Sequence, residues 1–255
     1  MNSMDISVES NTNIVSNLQS SSGLSISVHP LVLLNISDHY TRIRLQNPSI
    51  IENGRVFGAL LASQSGRDID IVNSFELPFQ LAEDGVNHLL DKTFLLYKLD
   101  QRMETDNFSS MKQVFPTLDF MGWYSIGIQP TELDLKLHEQ FLGVNESSLF
   151  LQMNPAALVN GTKQFPIEIY EPIMDMVDGN YTRLVFIKTS YKLETGEAER
   201  IAIDHVAKPS STTSDTSLGN ARTTVVLYKS QMILIFISSC LSSNNSKKRN
   251  RNATF

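Results

Sequence analysis

The sequence predicts an α/β (α+β) fold, a mixed β-sheet with a few flanking helices, and three observations carry that expectation. Short apolar or alternating runs of strand length recur through the middle of the chain, the clearest being Leu118 to Tyr124. Leu133, Leu137 and Phe141 recur at four-residue steps, the spacing of a helix face. With 41% hydrophobic residues over 255 positions, there is enough apolar material to bury a sizeable core.

Taken in order, residues 1–22 are rich in Ser and Asn and poor in large apolar groups, so burial there does not offset the entropy of ordering, and a disordered leader is expected. Leu24, Ile26 and Val28 alternate with Ser25 and Ser27, the period of a half-buried strand. Pro30 pushes His29 into an extended form and suits the first turn of a helix, which should run toward Arg44. Val56 to Ala62 and Ile69 to Phe75 flank the turn-prone Gln64-Ser65-Gly66-Arg67 and read as a hairpin at the centre of the sheet. Asp119 to Tyr124 is a further buried strand, followed by the helix bearing Leu133, Leu137 and Phe141. Leu149 to Met153, Ile167 to Tyr170, Leu184 to Leu193 and Ile201 to Val206 read as more strands, the last two joined by a hairpin turn at Glu194-Thr195-Gly196-Glu197. One globular domain is expected over 23–208, then a linker and divergent tail over 209–255, with no internal repeat.

Several chemistries find no foothold. The net charge of −6 argues against a general nucleic-acid surface, and a single cysteine rules out an intramolecular disulfide. Gly122 and Gly127 have the separation of a phosphate loop's glycines, but Ile128 and Gln129 follow where that loop needs Lys and then Ser or Thr. There is no Gly-x-Ser-x-Gly elbow, and Cys240 lies in an apolar stretch with no neighbouring His to activate it. Glu197, Glu199 and Asp204 border a turn and read as a solvated face. The five histidines, His29, His39, His88, His138 and His205, are scattered, whereas a metal site needs convergent ligands. His138 lies one helical turn after Asp134, yet that pair alone falls short of a ligand set.

The strand ending Gly122-Trp123-Tyr124 resembles the corresponding strand of the MPN (JAMM) domain family. The blocks His29-Pro30-Leu31-Val32, Asn35-Ile36-Ser37-Asp38-His39, Asn73-Ser74-Phe75-Glu76-Leu77, Glu197-Ala198-Glu199-Arg200-Ile201 and Asp204-His205-Val206-Ala207 resemble the subunit 6 branch of that family in the COP9 signalosome. The resemblance covers about Gly23 to Ala207 and implies a curved mixed sheet. In active MPN proteases the strand delivers two histidines, and the next helix an aspartate, to one zinc ion. By that resemblance the histidine positions fall on Ser125 and Gly127, the aspartate on Asp134, and the early glutamate that serves as base on Arg55. A hydroxyl is a poor zinc ligand, glycine has no side chain, and a fixed cation opposes a divalent metal. Asp134 also has a plainer role open to it, since Thr131 and Asp134 have capping-box spacing.

The resemblance therefore implies a non-catalytic subunit with no cofactor and no metal. It would pair with the catalytic MPN subunit of the COP9 signalosome and with other signalosome subunits, and so act indirectly on cullin-RING ligases through removal of the ubiquitin-like protein Nedd8. Neither nucleic acid nor membrane is an expected partner, and the expected location is cytoplasm and nucleus. Alternatives are a non-catalytic MPN subunit of the proteasome lid or of translation initiation factor 3, or a metalloisopeptidase with an unconventional zinc site. Past Ala207 the resemblance fades into what reads as a shortened or divergent end. Val225 to Leu241 is apolar, but Lys229 and Gln231 interrupt it, leaving a run shorter than the roughly 20 residues that span a bilayer core. Lys247-Lys248-Arg249 has the composition of a nuclear-import patch, though a solvated basic tail is the commoner case.

Overall fold

A computed structural model describes residues 14–16, 18, 20–46, 56–83, 87–100, 111–155, 157, 166–177, 181–197 and 199–201. Its main element is a nine-stranded sheet built from β1 (Val15–Ser16), β2 (Ser25–Val28), β3 (Phe57–Ser65), β4 (Asp68–Glu76), β7 (Asp119–Ile126), β8 (Leu149–Met153), β9 (Ile167–Val177), β10 (Tyr181–Thr189) and β11 (Tyr191–Leu193). The order is β1-β10-β9-β8-β7-β3-β4-β2-β11. β5 (Phe79–Leu81) and β6 (His88–Leu90) form a separate antiparallel pair. The helices are α1 (Pro30–Gln46), α2 (Lys92–Leu99), α3 (Met111–Val114) and α4 (Glu132–Leu142).

Connectivity forces this sheet to curl. β10 and β11 are separated only by Ser190, yet they stand near opposite ends of the strand order. One residue bridges only a few ångströms, so the two ends must approach each other. The Tyr191 hydroxyl closes the seam by donating to the Ile167 carbonyl at 3.1 Å.

Each face of the curled sheet carries its own core, because side chains alternate along a strand. On one face, Ile26, Val28, Leu60, Ile71, Tyr124, Leu151 and Ile169 pack with Val32, Leu33 and Ile36 of α1. On the other, Phe57, Leu61, Trp123, Phe150, Tyr170 and Phe186 pack with Leu95 of α2 and with Leu137 and Phe141 of α4. A bulge where Leu60 faces Gly122 and Leu61 faces Phe120 breaks the alternation in β7, so Phe120 and Trp123 reach the same core despite their odd spacing.

The helix opening at Pro30, the β3–β4 hairpin and the β7–α4 unit stand where the sequence placed them. Three expectations need correction. The leader is not wholly disordered: Val15 and Ser16 pair in parallel with Phe186 and Ile187, and Ser20 donates to Glu171 at 3.0 Å. Leu184 to Leu193 is not one strand, because Ser190 separates the part paired with β9 from the part paired with β2. Residues 194–197 do not close a hairpin; β11 already runs parallel to β2, and residues 197 and 199–201 enter a helical turn with Arg200 N–H on the Gly196 carbonyl at 3.0 Å. Residues 1–13, Arg55, Asp204, His205 and everything from residue 202 onward, with the apolar and basic stretches of the tail, lie outside the described residues. Among the described residues no helix is long and apolar enough to cross a membrane.

Candidate functional site

β7 lies at the middle of the sheet, between β3 and β8, and its sequence is dictated by that crowding. A Cβ on Gly122 would stand 2.2 Å from the Leu149 carbonyl oxygen, so only glycine lets β8 approach here. The neighbouring Trp123 is stacked on Phe150 at 4.2 Å between ring centres and on Phe141 of α4 at 5.2 Å. Trp123 thus fixes α4 against the sheet. Tyr124 points into the opposite core, where its hydroxyl lies 2.8 Å from His39 Nδ1.

The positions that follow hold little that binds a metal. Ser125 is fully buried and sits opposite Phe57 on β3 and Gln152 on β8. Its hydroxyl, and both polar atoms of the buried Gln152 amide, have no hydrogen-bond partner among the described residues. Gly127 is held to β8 by its N–H on the Met153 carbonyl at 3.0 Å. A Cβ on Gly127 would come within 2.7 Å of Gln152 Nε2.

Asp134 is fully buried on the first turn of α4, and its carboxylate turns back on the helix start. Its Oδ2 accepts from the Thr131 backbone N–H at 2.7 Å and from the Thr131 hydroxyl at 2.8 Å. This satisfies a donor that the helix itself cannot, and places negative charge at the positive end of the dipole. His138 does not join Asp134 in a ligand pair. Its Nδ1 accepts the Trp123 indole N–H at 2.9 Å, and burial holds its pKa down to about 4, so the ring is neutral.

A catalytic zinc takes about three protein ligands and leaves one position for water. The positions that the family resemblance assigns to ligands offer a neutral hydroxyl, no side chain at all, and a carboxylate oxygen engaged as a helix cap. The donor set does not fit zinc, and among the described residues no three His, Cys, Asp or Glu side chains are placed to hold a metal.

Two polar clusters stand elsewhere. On the α1 side, His39 lies between Tyr124 and Glu76, and Arg42 bridges Glu76 and Asp38. Burial lowers the His39 pKa against the opposing pull of Glu76, and burial raises that of Tyr124. The cluster borders an open cleft of about 400 Å³ lined by Asn35, Ser74, Phe94, Lys98 and other residues. The second cluster joins α1 to the end of the domain. His29 Nδ1 lies 2.8 Å from Glu199 Oε2, its Nε2 lies 3.2 Å from Asp70, and Glu199 Oε1 accepts the Leu31 N–H at 2.9 Å. Glu199 is therefore the cap of α1 and not part of a solvated face. Sequence reasoning missed both Glu199 and Gln152, because their partners lie far away along the chain.

A curled mixed sheet whose central strand ends Gly-Trp-Tyr against a capped helix defines an MPN-type domain, and residues 21–147 match the family model described as JAB1/Mov34/MPN/PAD-1 ubiquitin protease. The chain carries a domain of the MPN/JAB family. Within that family it is similar to subunit 6 of the COP9 signalosome complex. It is 41% identical over 202 residues to the Drosophila melanogaster subunit 6, covering 79% of this chain and 54% of that protein. It is 40% identical over 210 residues to subunit 6b of Arabidopsis thaliana, covering 75% and 62%, and 38% identical over 200 residues to the Dictyostelium discoideum subunit 6, covering 78% and 59%. The chain thus spans between about half and three fifths of the length of these curated relatives.

Proposed function

We propose that this protein is a non-catalytic scaffold subunit of the COP9 signalosome. It pairs through its MPN domain with the catalytic MPN metalloisopeptidase subunit and supports removal of Nedd8 from cullins. The observation that carries this reading is the state of the ligand positions: Ser125 is a buried hydroxyl, Gly127 has no side chain, and the Asp134 carboxylate caps its own helix. The similarity to signalosome subunit 6 supports partners among the signalosome subunits; the catalytic MPN subunit and, indirectly, cullin-RING ligases are the ones proposed. Cytoplasm and nucleus are the location proposed for this chain.

The test is co-purification of the full chain from cells with identification of its partners, beside metal analysis of the purified protein. The expected result is recovery of signalosome subunits including the catalytic MPN subunit, with no stoichiometric zinc in the isolated chain. Recovery of proteasome-lid or initiation-factor subunits in their place, or one bound zinc per chain, overturns the reading.

A further inference from the structure

The absent histidines are one reason for the degenerate site; a second lies on the neighbouring strand. Gln152 sits in β8, whose five residues are all buried, with β7 on one side and β9 on the other. Its register partners are Ser125 on β7 and Glu168 on β9, so it has a neighbour on either side along the sheet. The amide nitrogen lies 2.7 Å from where a Cβ on Gly127 would stand, and the amide carbon 3.5 Å. Contacts under about 3 Å between carbon and nitrogen lie well inside van der Waals separation, so any side chain at 127 displaces this amide. The Gly127 N–H is bonded to Met153 on the same strand as Gln152, which ties this backbone to β8 and leaves the amide as the part that must move.

We infer that Gln152 is a metal-excluding residue: its buried amide fills the space that a second strand-borne ligand, at position 127, must occupy. The inference rests on the non-catalytic reading and adds a named steric cause to it. Among the described residues the amide has no hydrogen-bond partner, and neither has the hydroxyl of Ser125 beside it. Its place is held by packing, so a smaller residue there opens the space.

The test compares cobalt(II), read by its visible absorption, on three full-length forms. Unmodified protein reports on the non-catalytic reading alone, and stoichiometric binding there defeats that reading whatever Gln152 does. The S125H/G127H variant restores two histidines beside Asp134, and S125H/G127H/Q152A also removes the amide. The triple variant should bind at least about tenfold more tightly than the double, the scale on which groups around a metal site act. Equal affinities, or no binding by either, overturn the inference. A thermal cycle covers the case in which the histidine variants do not fold. G127A should lower the melting midpoint in the Gln152 background and lower it much less in a Q152A background, whereas an equal loss in both also overturns the inference.

Discussion

Trp123 donates its indole N–H to Nδ1 of His138 over 2.9 Å, in a core that leaves both side chains without solvent exposure. An imidazole nitrogen that accepts a bond carries no proton, so this contact and burial both favour the neutral ring. The pKa falls from 6.5 to about 4 on folding. Between those values the unfolded chain holds a proton that the folded chain does not. Stability from this group is therefore complete above pH 6.5 and is lost as pH falls toward 4, by at most roughly 3 kcal/mol. Urea denaturation from pH 7 to 4.5 should show the loss, and His138→Gln should flatten the slope. What persists in the variant belongs to His39, whose pKa burial also lowers, and, toward the acid end, to Glu76 and Glu168, whose pKa values are held down against burial by hydrogen bonds from Arg42 and Lys188. A slope unchanged by the substitution assigns the pH response elsewhere.

Gly122→Ala is expected to be among the most damaging single changes in the domain. The added methyl would meet the Leu149 carbonyl oxygen at 2.2 Å and the Leu149 backbone nitrogen at 2.9 Å. Backbone on a central strand cannot rotate away as a side-chain tip can. Overpacking of this kind costs about 1–3 kcal/mol or more, and here it also loosens the Trp123 stack that seats α4. Soluble yield and the urea midpoint measure it; a variant with the midpoint of the parent protein contradicts the packing described.

What the sequence showed in advance was local. Alternation in β3 and β4, the apolar run of β7 and the four-residue steps of α4 are each written in consecutive residues, and each element formed. The features that escaped depend on chain segments far apart. Nothing in Val15-Ser16 signals that two residues will pair with Phe186 and Ile187. Ser190 has no bend signature, yet it is where the chain passes from one end of the sheet to the other. Glu199 looked like a surface charge because His29 and the start of α1 lie about 170 residues earlier. The capping-box spacing of Thr131 and Asp134 was legible in consecutive residues, whereas the approach of Gln152 to Gly127 needed the β7–β8 register.

Removing Glu199 should weaken the start of α1. Its carboxylate accepts the Leu31 N–H at 2.9 Å and meets His29 at 2.8 Å. Loss of a helix cap costs about 1 kcal/mol. Glu199→Ala should lower stability by that order, and Glu199→Gln by less, since its amide oxygen still accepts from Leu31. Amide hydrogen exchange should place the increase at residues 31–33. Uniform exchange across the domain contradicts a capping role.

Asp134 separates the two readings of this fold most directly, because the family resemblance assigns this position to a metal-holding aspartate. If the carboxylate serves as a cap, its value is the bond pair to Thr131 at 2.7 and 2.8 Å, and both partners describe one interaction. Thr131→Ala removes the hydroxyl contact but leaves the backbone N–H on the carboxylate; Asp134→Ala removes both. Asp134→Ala should therefore cost about 1–2 kcal/mol, Thr131→Ala less, and the double variant scarcely more than Asp134→Ala. Asp134→Asn should recover much of the loss, because an amide oxygen also caps a helix while binding zinc poorly. Denaturation midpoints of the four proteins close the cycle. Strict additivity of the two alanine changes contradicts a shared contact, and a stability that rises with added zinc in the parent protein but not in Asp134→Asn returns the residue to metal binding.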